Sequence, residues 1–412
     1  MTSSDLRRRL RDAEIPDEHG AHERGWRVVR AGFEERRPVR HAAPITSRLA
    51  IALGTAGLIL ALVLTPAGAK VVDLVQDVVP GGKPARPLTS LPAPGQLLVE
   101  SAQGPWVLNE DGSQRLLGDY REATWSPHGY FVAATTPTQL IAVEPDGTPH
   151  WSLQRPNPVD PRWAPSGYRI AYRTGSSMRV VAGDGTGDHL LDRHVAPRPP
   201  AWRPVPFPEA KMSPNGTGTH VLALVKPDGR VEVIDADSRD VYWRSAPGRV
   251  PTELDWSANG SRLVALTGST LRVFGAKGDV LLTEHLAPGF QATSGEFAPV
   301  GTTFAVVGKA VAGYQSRGAV FIVDLGISTA EPKRLLPGLP GGFDPVSWSP
   351  DGRWLLIAWR DANEWLFIRP EQPGRIKTAG DISGQFDPGA RGRSGFPRLA
   401  GWCCTVSGAS SP

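Results

Sequence analysis

A phrase of five residues recurs along this chain: an aromatic residue, Ser or Ala, usually Pro, a variable residue and Gly, with an apolar run close behind. It stands as Trp125-Ser126-Pro127-His128-Gly129 before FVAAT, Trp163-Ala164-Pro165-Ser166-Gly167 before RIAY, and Trp256-Ser257-Ala258-Asn259-Gly260 before RLVAL. Further copies, the first weakened by Met in the aromatic position, are Met212-Ser213-Pro214-Asn215-Gly216, Phe297-Ala298-Pro299-Val300-Gly301 and Trp348-Ser349-Pro350-Asp351-Gly352. A repeat of this length is a supersecondary unit that cannot bury its own apolar faces, so copies must stack on one another. That restricts the chain to a repeat array.

Pro presets φ for a turn and Gly tolerates positive φ, so each phrase reads as a hairpin connection. The runs that follow are rich in Val, Ile and Leu and pair as strands: FVAAT with QLIAVE, RIAYRT with MRVVAG, HVLALV with RVEVID, RLVALT with LRVFGA, TFAVVG with AVFIVD, and WLLIAW with WLFIRP. No helical period is long enough for a βαβ crossover. Small antiparallel units of this kind predict an all-β fold, a β-propeller.

The blade count follows from two orphan pieces. QLLVES and WVLNED open the domain without a preceding Trp strand, and the strand ending in Trp402 has no partner after it. Joined, they close the ring with both ends in one sheet and leave no open edge. That predicts seven blades; six is the alternative, because the Pro-rich stretch APRPPAWRPVPFP makes the copy near residue 212 the most degenerate.

The Trp348–Gly352 turn and its in-register copies resemble the TolB-type and WD-like propeller repeats of bacterial envelope proteins, over roughly residues 95–404. The resemblance implies fold and little more. Members bind proteins or peptides, precede peptidase domains or have no assigned role, and no member's site residues carry over to this chain.

Charge locates the remaining segments. The formal net charge of +4 suggests nucleic acid, but residues 1–48 hold 11 Arg against 8 Asp and Glu, leaving 34 basic against 33 acidic residues in the rest. The propeller therefore shows no basic stripe for phosphates, and no nucleic-acid partner is expected. Residues 49–69 carry no charge and are about long enough to span a bilayer as a helix, with Arg48 before them and Lys70 after. The Arg-rich side faces the cytoplasm by the positive-inside rule, which puts the propeller outside the cell membrane. Ala67-Gly68-Ala69 also fits signal cleavage, the competing reading.

The expected order is thus a cytoplasmic helical or disordered arm (1–48), one transmembrane helix (49–69), a Pro/Gly linker (70–95), the propeller (96–404) and a tail (405–412). In the arm, Trp26, Val29 and Phe33 fall on one face at helical spacing and could dock a cytoplasmic partner.

Catalytic and nucleotide-binding signatures are absent from the sequence, and neither a cofactor nor a Cys/His metal spacing is expected. Asp235-Ala236-Asp237-Ser238-Arg239-Asp240 resembles the start of a calcium loop, but Arg239 stands where a carboxylate is needed, so it reads as an exposed hairpin turn. Cys403 and Cys404 read as two small apolar residues of the closing strand, oxidation to a vicinal disulfide being the alternative.

One pattern does point to a site. Glu122, Asp160, Glu253, Asp255 and Glu296 precede matching motif positions, with Asp344 slightly further upstream of Trp348. In a propeller the innermost strands line a central channel, so these carboxylates would gather at one mouth with Arg162 and Arg398 as partial counterions. The bland alternative is local pairing between blades. The leading expectation is a membrane-anchored binding module for a protein, peptide or cell-wall component; the rivals are an envelope hydrolase or lyase using these carboxylates, and a structural scaffold.

Overall fold

The computed structural model describes residues 86–205, 218–312, 315–326, 331–336, 338–387 and 395–404. The expected arm with Trp26, Val29 and Phe33, the 49–69 span, most of the linker and the tail lie outside the described residues. Among the described residues no helix is long and apolar enough to cross a membrane.

Among the described residues, the motifs that carry Ser close their turns with the same two devices. In the second blade the Ser126 N–H donates to Phe131 O (2.8 Å), Ser126 Oγ accepts the Phe131 N–H (3.0 Å), and Gly129 holds φ +70°. Ser349 and Gly352 repeat this with the Trp354 N–H, and Ser257 and Gly260 with the Arg262 N–H. The hydroxyl satisfies a backbone donor that the tight turn leaves unpaired, and glycine supplies the left-handed conformation.

Seven antiparallel sheets result, one per blade. Their innermost strands are Ala123–Trp125 (blade 2), Pro158–Trp163 (blade 3), Ala201–Trp202 (blade 4), Glu253–Trp256 (blade 5), Phe290–Phe297 (blade 6) and Val346–Trp348 (blade 7). Blade 1 is composite. Arg398–Cys403 forms its innermost strand and pairs with Gln96–Ser101 through Leu97 opposite Trp402, so the ring has seven blades and the six-bladed alternative falls.

The core is divided among the blade interfaces. Seven apolar clusters each join two neighbouring blades, including one in which Leu97, Val99 and Trp402 of blade 1 meet Trp354, Leu356 and Trp365 of blade 7. The motif Trp residues are core: Trp125, Trp163, Trp202, Trp256, Trp348 and Trp402 are all buried. Two of them also tie blades together, Trp202 Nε1 donating to Arg162 O (2.8 Å) and Trp348 Nε1 to Glu296 O (3.0 Å).

Three sequence expectations change. The Trp position of blade 4 is Trp202, followed by Arg203-Pro204, and not Met212, which lies outside the described residues. The phrase was hidden there because Arg203 replaces Ser; its Nε instead donates to Gly260 O (2.8 Å) and its guanidinium lies over Trp256. The Asp235 turn is not wholly exposed, since Asp235 is buried and accepts hydrogen bonds from the Gly218, Asp237 and Ser238 N–H groups. Finally, Cys403 and Cys404 are joined in a disulfide rather than standing as two apolar side chains, at the end of the closing strand and against the Ser126–Pro127 turn.

Candidate functional site

Because the strands of a blade alternate in direction, the start of every innermost strand and the hairpin between its second and third strands share one face of the disc. Three of the five expected carboxylates, Glu122, Asp160 and Glu253, stand three residues before the aromatic that ends their innermost strand, and Asp255 and Glu296 stand directly before it. The structure brings all five, Glu122, Asp160, Glu253, Asp255 and Glu296, to one central cavity of about 320 Å³. Arg162 and Arg398 line it too, as does Glu100, which sequence reasoning missed. Glu100 escaped notice because it sits on Gln96–Ser101, the second strand of blade 1, with no motif Trp after it.

Most of these carboxylates hold neighbouring blades together. Glu100 Oε1 accepts the Ala123 N–H of blade 2 (2.7 Å), and Glu122 Oε2 accepts the Asp160 N–H of blade 3. Asp255 accepts its own strand's Trp256 N–H (2.9 Å) and the Phe297 N–H of blade 6 (2.7 Å), and Glu296 accepts the Trp348 N–H of blade 7 (3.3 Å). Inner strands converging on an axis leave backbone donors that no ladder satisfies, and an ionised oxygen is a strong acceptor for them.

The expected counterions are arranged differently from the sequence reading. Arg398 pairs with Glu100 (3.2 Å), and Asp160 pairs with Arg173 on the second strand of its own blade (2.6 Å). Arg162 donates to Pro161 O and acts on the channel carboxylates through space. Local pairing thus accounts for Asp160 and Glu100, and backbone staples for Glu122, Asp255 and Glu296.

Glu253 is different, since no hydrogen bond enters the balance of its carboxyl. Burial pushes it up to about 7, Arg162 and Arg398 draw it down, and Asp255 and Asp344 push it further up. Asp255 is likewise pushed up to about 7 by burial, against the pull of its two backbone donors and Arg162. Burial also raises Glu296, with the Asp255 charge adding to it, and Glu100 and Asp344 move the same way. Glu253 and Asp255 keep some surface open to the cavity, but protein surrounds them on all sides, and that enclosure governs their proton affinity. The arrangement can hold a cation, or hold and release a proton near neutral pH.

The sheet order and ring closure define the chain as a seven-bladed β-propeller. No protein-family model matches it, and no curated protein matches it. Among solved structures it is similar to hydrazine synthase of Kuenenia stuttgartiensis, at 15% sequence identity and a TM-score of 0.46, over 61% of this chain and 76% of that one.

Proposed function

We propose that the propeller is a binding module whose central channel receives a cationic group of a protein or peptide. The observation that carries this reading is the charge around the cavity, six carboxylates against two arginines, with Glu253 left without a hydrogen-bonding partner among them. Gathered like charges repel, and a bound cation relieves that repulsion. In the same reading residues 49–69 anchor the module to the cell membrane with the propeller outside, as the likeness of its turns to TolB-type repeats suggests, and the arm with Trp26, Val29 and Phe33 meets a cytoplasmic partner.

The test is titration of the full-length protein with an oligolysine peptide and with an oligoglutamate control. Affinity for oligolysine should fall as salt rises, and Glu253→Gln with Asp255→Asn should weaken it at least tenfold. Equal binding at low and high ionic strength, or no loss in the double variant, would leave the acidic ring a purely structural feature of a scaffold. One feature favours a hydrolase or lyase as the second reading: burial pushes the Glu253 and Asp255 carboxyls up to about 7, where a general base operates best. Under that reading Glu253→Gln abolishes turnover while leaving oligolysine binding largely intact.

A further inference from the structure

Beside the channel, on the same face, lies an open cleft of about 1040 Å³ between blades 6 and 7. Its existence depends on one departure from the repeat. The middle hairpin of blade 6, Thr303–Ala312 with Gln315–Asp324, has strands of ten residues, against four to six for the corresponding strands of the other blades. The hairpin therefore extends past the face of the disc and forms a wall.

That wall is fixed at its root. Leu339–Pro340 adds to its outer strand, Arg317 Nη1 donates to Gly338 O (3.2 Å), and Gly318 lies so close to Phe343 that a Cβ there would meet the ring at 2.9 Å. The facing side is the turn Trp359-Arg360-Asp361 of blade 7, held by Trp359 Nε1 donating to Pro340 O (2.9 Å) and by the Gly342 N–H donating to Asp361 Oδ2 (3.1 Å). The segment Gly341–Asp344 lines the cleft between these walls.

Within this frame Arg317 and Asp361 are used to build the cleft, whereas the side chains of Lys309 and Arg360 make no hydrogen bond or ion pair with the described residues. They are exposed, one from each blade, and they line the same cleft. A rigid recess that presents an ammonium and a planar guanidinium suits an oxyanion, which the guanidinium can grip with two parallel hydrogen bonds. We infer that the cleft is a binding subsite for a ligand bearing an oxyanion, a carboxylate or a phosphate, held by Lys309 and Arg360. The subsite does not depend on the channel reading, although Asp344 lines the cleft and the next residue, Pro345, lines the channel, so one ligand carrying both charges could reach both.

Full-length protein titrated separately with glutarate and with inorganic phosphate tests this, read by saturation-transfer NMR for glutarate and by ³¹P line width for phosphate. Saturable binding of glutarate alone identifies a carboxylate ligand, of phosphate alone a phosphorylated one, and of both a general oxyanion site. Lys309→Ala with Arg360→Ala should weaken binding at least tenfold, and both side chains are exposed, so the fold should be unaffected. Gly342→Leu is the charge-preserving second variant: a Cβ there meets nothing nearer than Lys309 Cβ at 3.7 Å, so the side chain should fit without strain, crowd the floor of the cleft beside Lys309 and also weaken binding. No binding of either probe by the native protein, or binding undiminished in either variant, overturns the inference.

Discussion

The carboxylates of the channel and those of the periphery are the same chemical groups with opposite proton affinities. Asp188, at the outer edge of blade 3, has only 4% of its side chain exposed, and burial alone would raise it. Hydrogen bonds from Arg179, Tyr172 and Arg155 outweigh that burial and hold its carboxyl below the usual range. Asp237 is lowered to about 2, first by the hydrogen bond from His220 and then, against burial, by Arg169. In the channel Asp255 has two good hydrogen bonds and is still raised to about 7, because burial outweighs what two neutral amide donors and the more distant Arg162 return. Geometry of hydrogen bonding is thus not enough to keep a buried acid ionised; the depth of its enclosure and the charge of its donors decide it together.

The largest test of this contrast is Asp188→Ala. It leaves two arginines and a tyrosine without their shared acceptor, and should lower unfolding free energy by about 3 kcal/mol, seen as a shifted denaturant midpoint. Asp255→Ala removes two acceptors but also a repelling charge, so we expect a smaller loss, about 1–2 kcal/mol at pH 6 and less at pH 8. A loss as large as that of Asp188→Ala would mean that the channel acid is as well compensated as the peripheral one.

The pH dependence should run in opposite directions in the two regions. Glu253 and Asp255 are raised from 4.5 and 3.8 to about 7, so across that window the folded chain holds protons that the unfolded chain has released. Their contribution to stability therefore falls as pH rises toward 7 and is constant above it. Asp237 is lowered from 3.8 to about 2, so its contribution is present above 3.8 and lost as pH falls toward 2, on the order of 1 kcal/mol after allowance for its partial exposure. Glu253→Gln with Asp255→Asn should make the first slope shallower, leaving the part that Glu296, Glu100 and Asp344 supply, and leave the second unchanged; denaturant midpoints measured from pH 3 to pH 8 decide it. The smallest effect belongs to Glu253→Gln alone, which removes a charge with no hydrogen bond and should raise stability at pH 8 by under about 1 kcal/mol.

The contrast also marks what the sequence could disclose. The five expected channel carboxylates stand at one of two offsets from a repeated aromatic residue, so the fold's own period carries them into view, and the blade count and closure follow from the same phrase. Glu100 keeps no such offset, because its blade is assembled from two ends of the propeller. Blade 4 was obscured for a local reason: a two-residue strand, Ala201–Trp202, inside a Pro-rich stretch gives too little alternation to read. The cleft was missed because TFAVVG and AVFIVD read as a complete pair, whereas the ladder continues through Lys309 opposite Gly318 to Ala312 opposite Gln315. The partners of Asp188 come from different strands and loops, and no periodicity announces them.

The composite blade has a consequence for how the molecule is made. Glu100 and Arg398 are paired across 298 residues, so the first blade waits for its innermost strand until nearly all of the propeller has been synthesised. Until then Gln96–Ser101 has a bare edge, and the apolar surface shared by blades 1 and 7 lacks Trp402 and Leu399. Non-local pairing of this kind is slow, and an unpaired edge is a template for pairing with the wrong chain. Ring closure is therefore the step at which a nascent chain most needs protection from aggregation, and Arg398–Cys403 is the strand that ends that need.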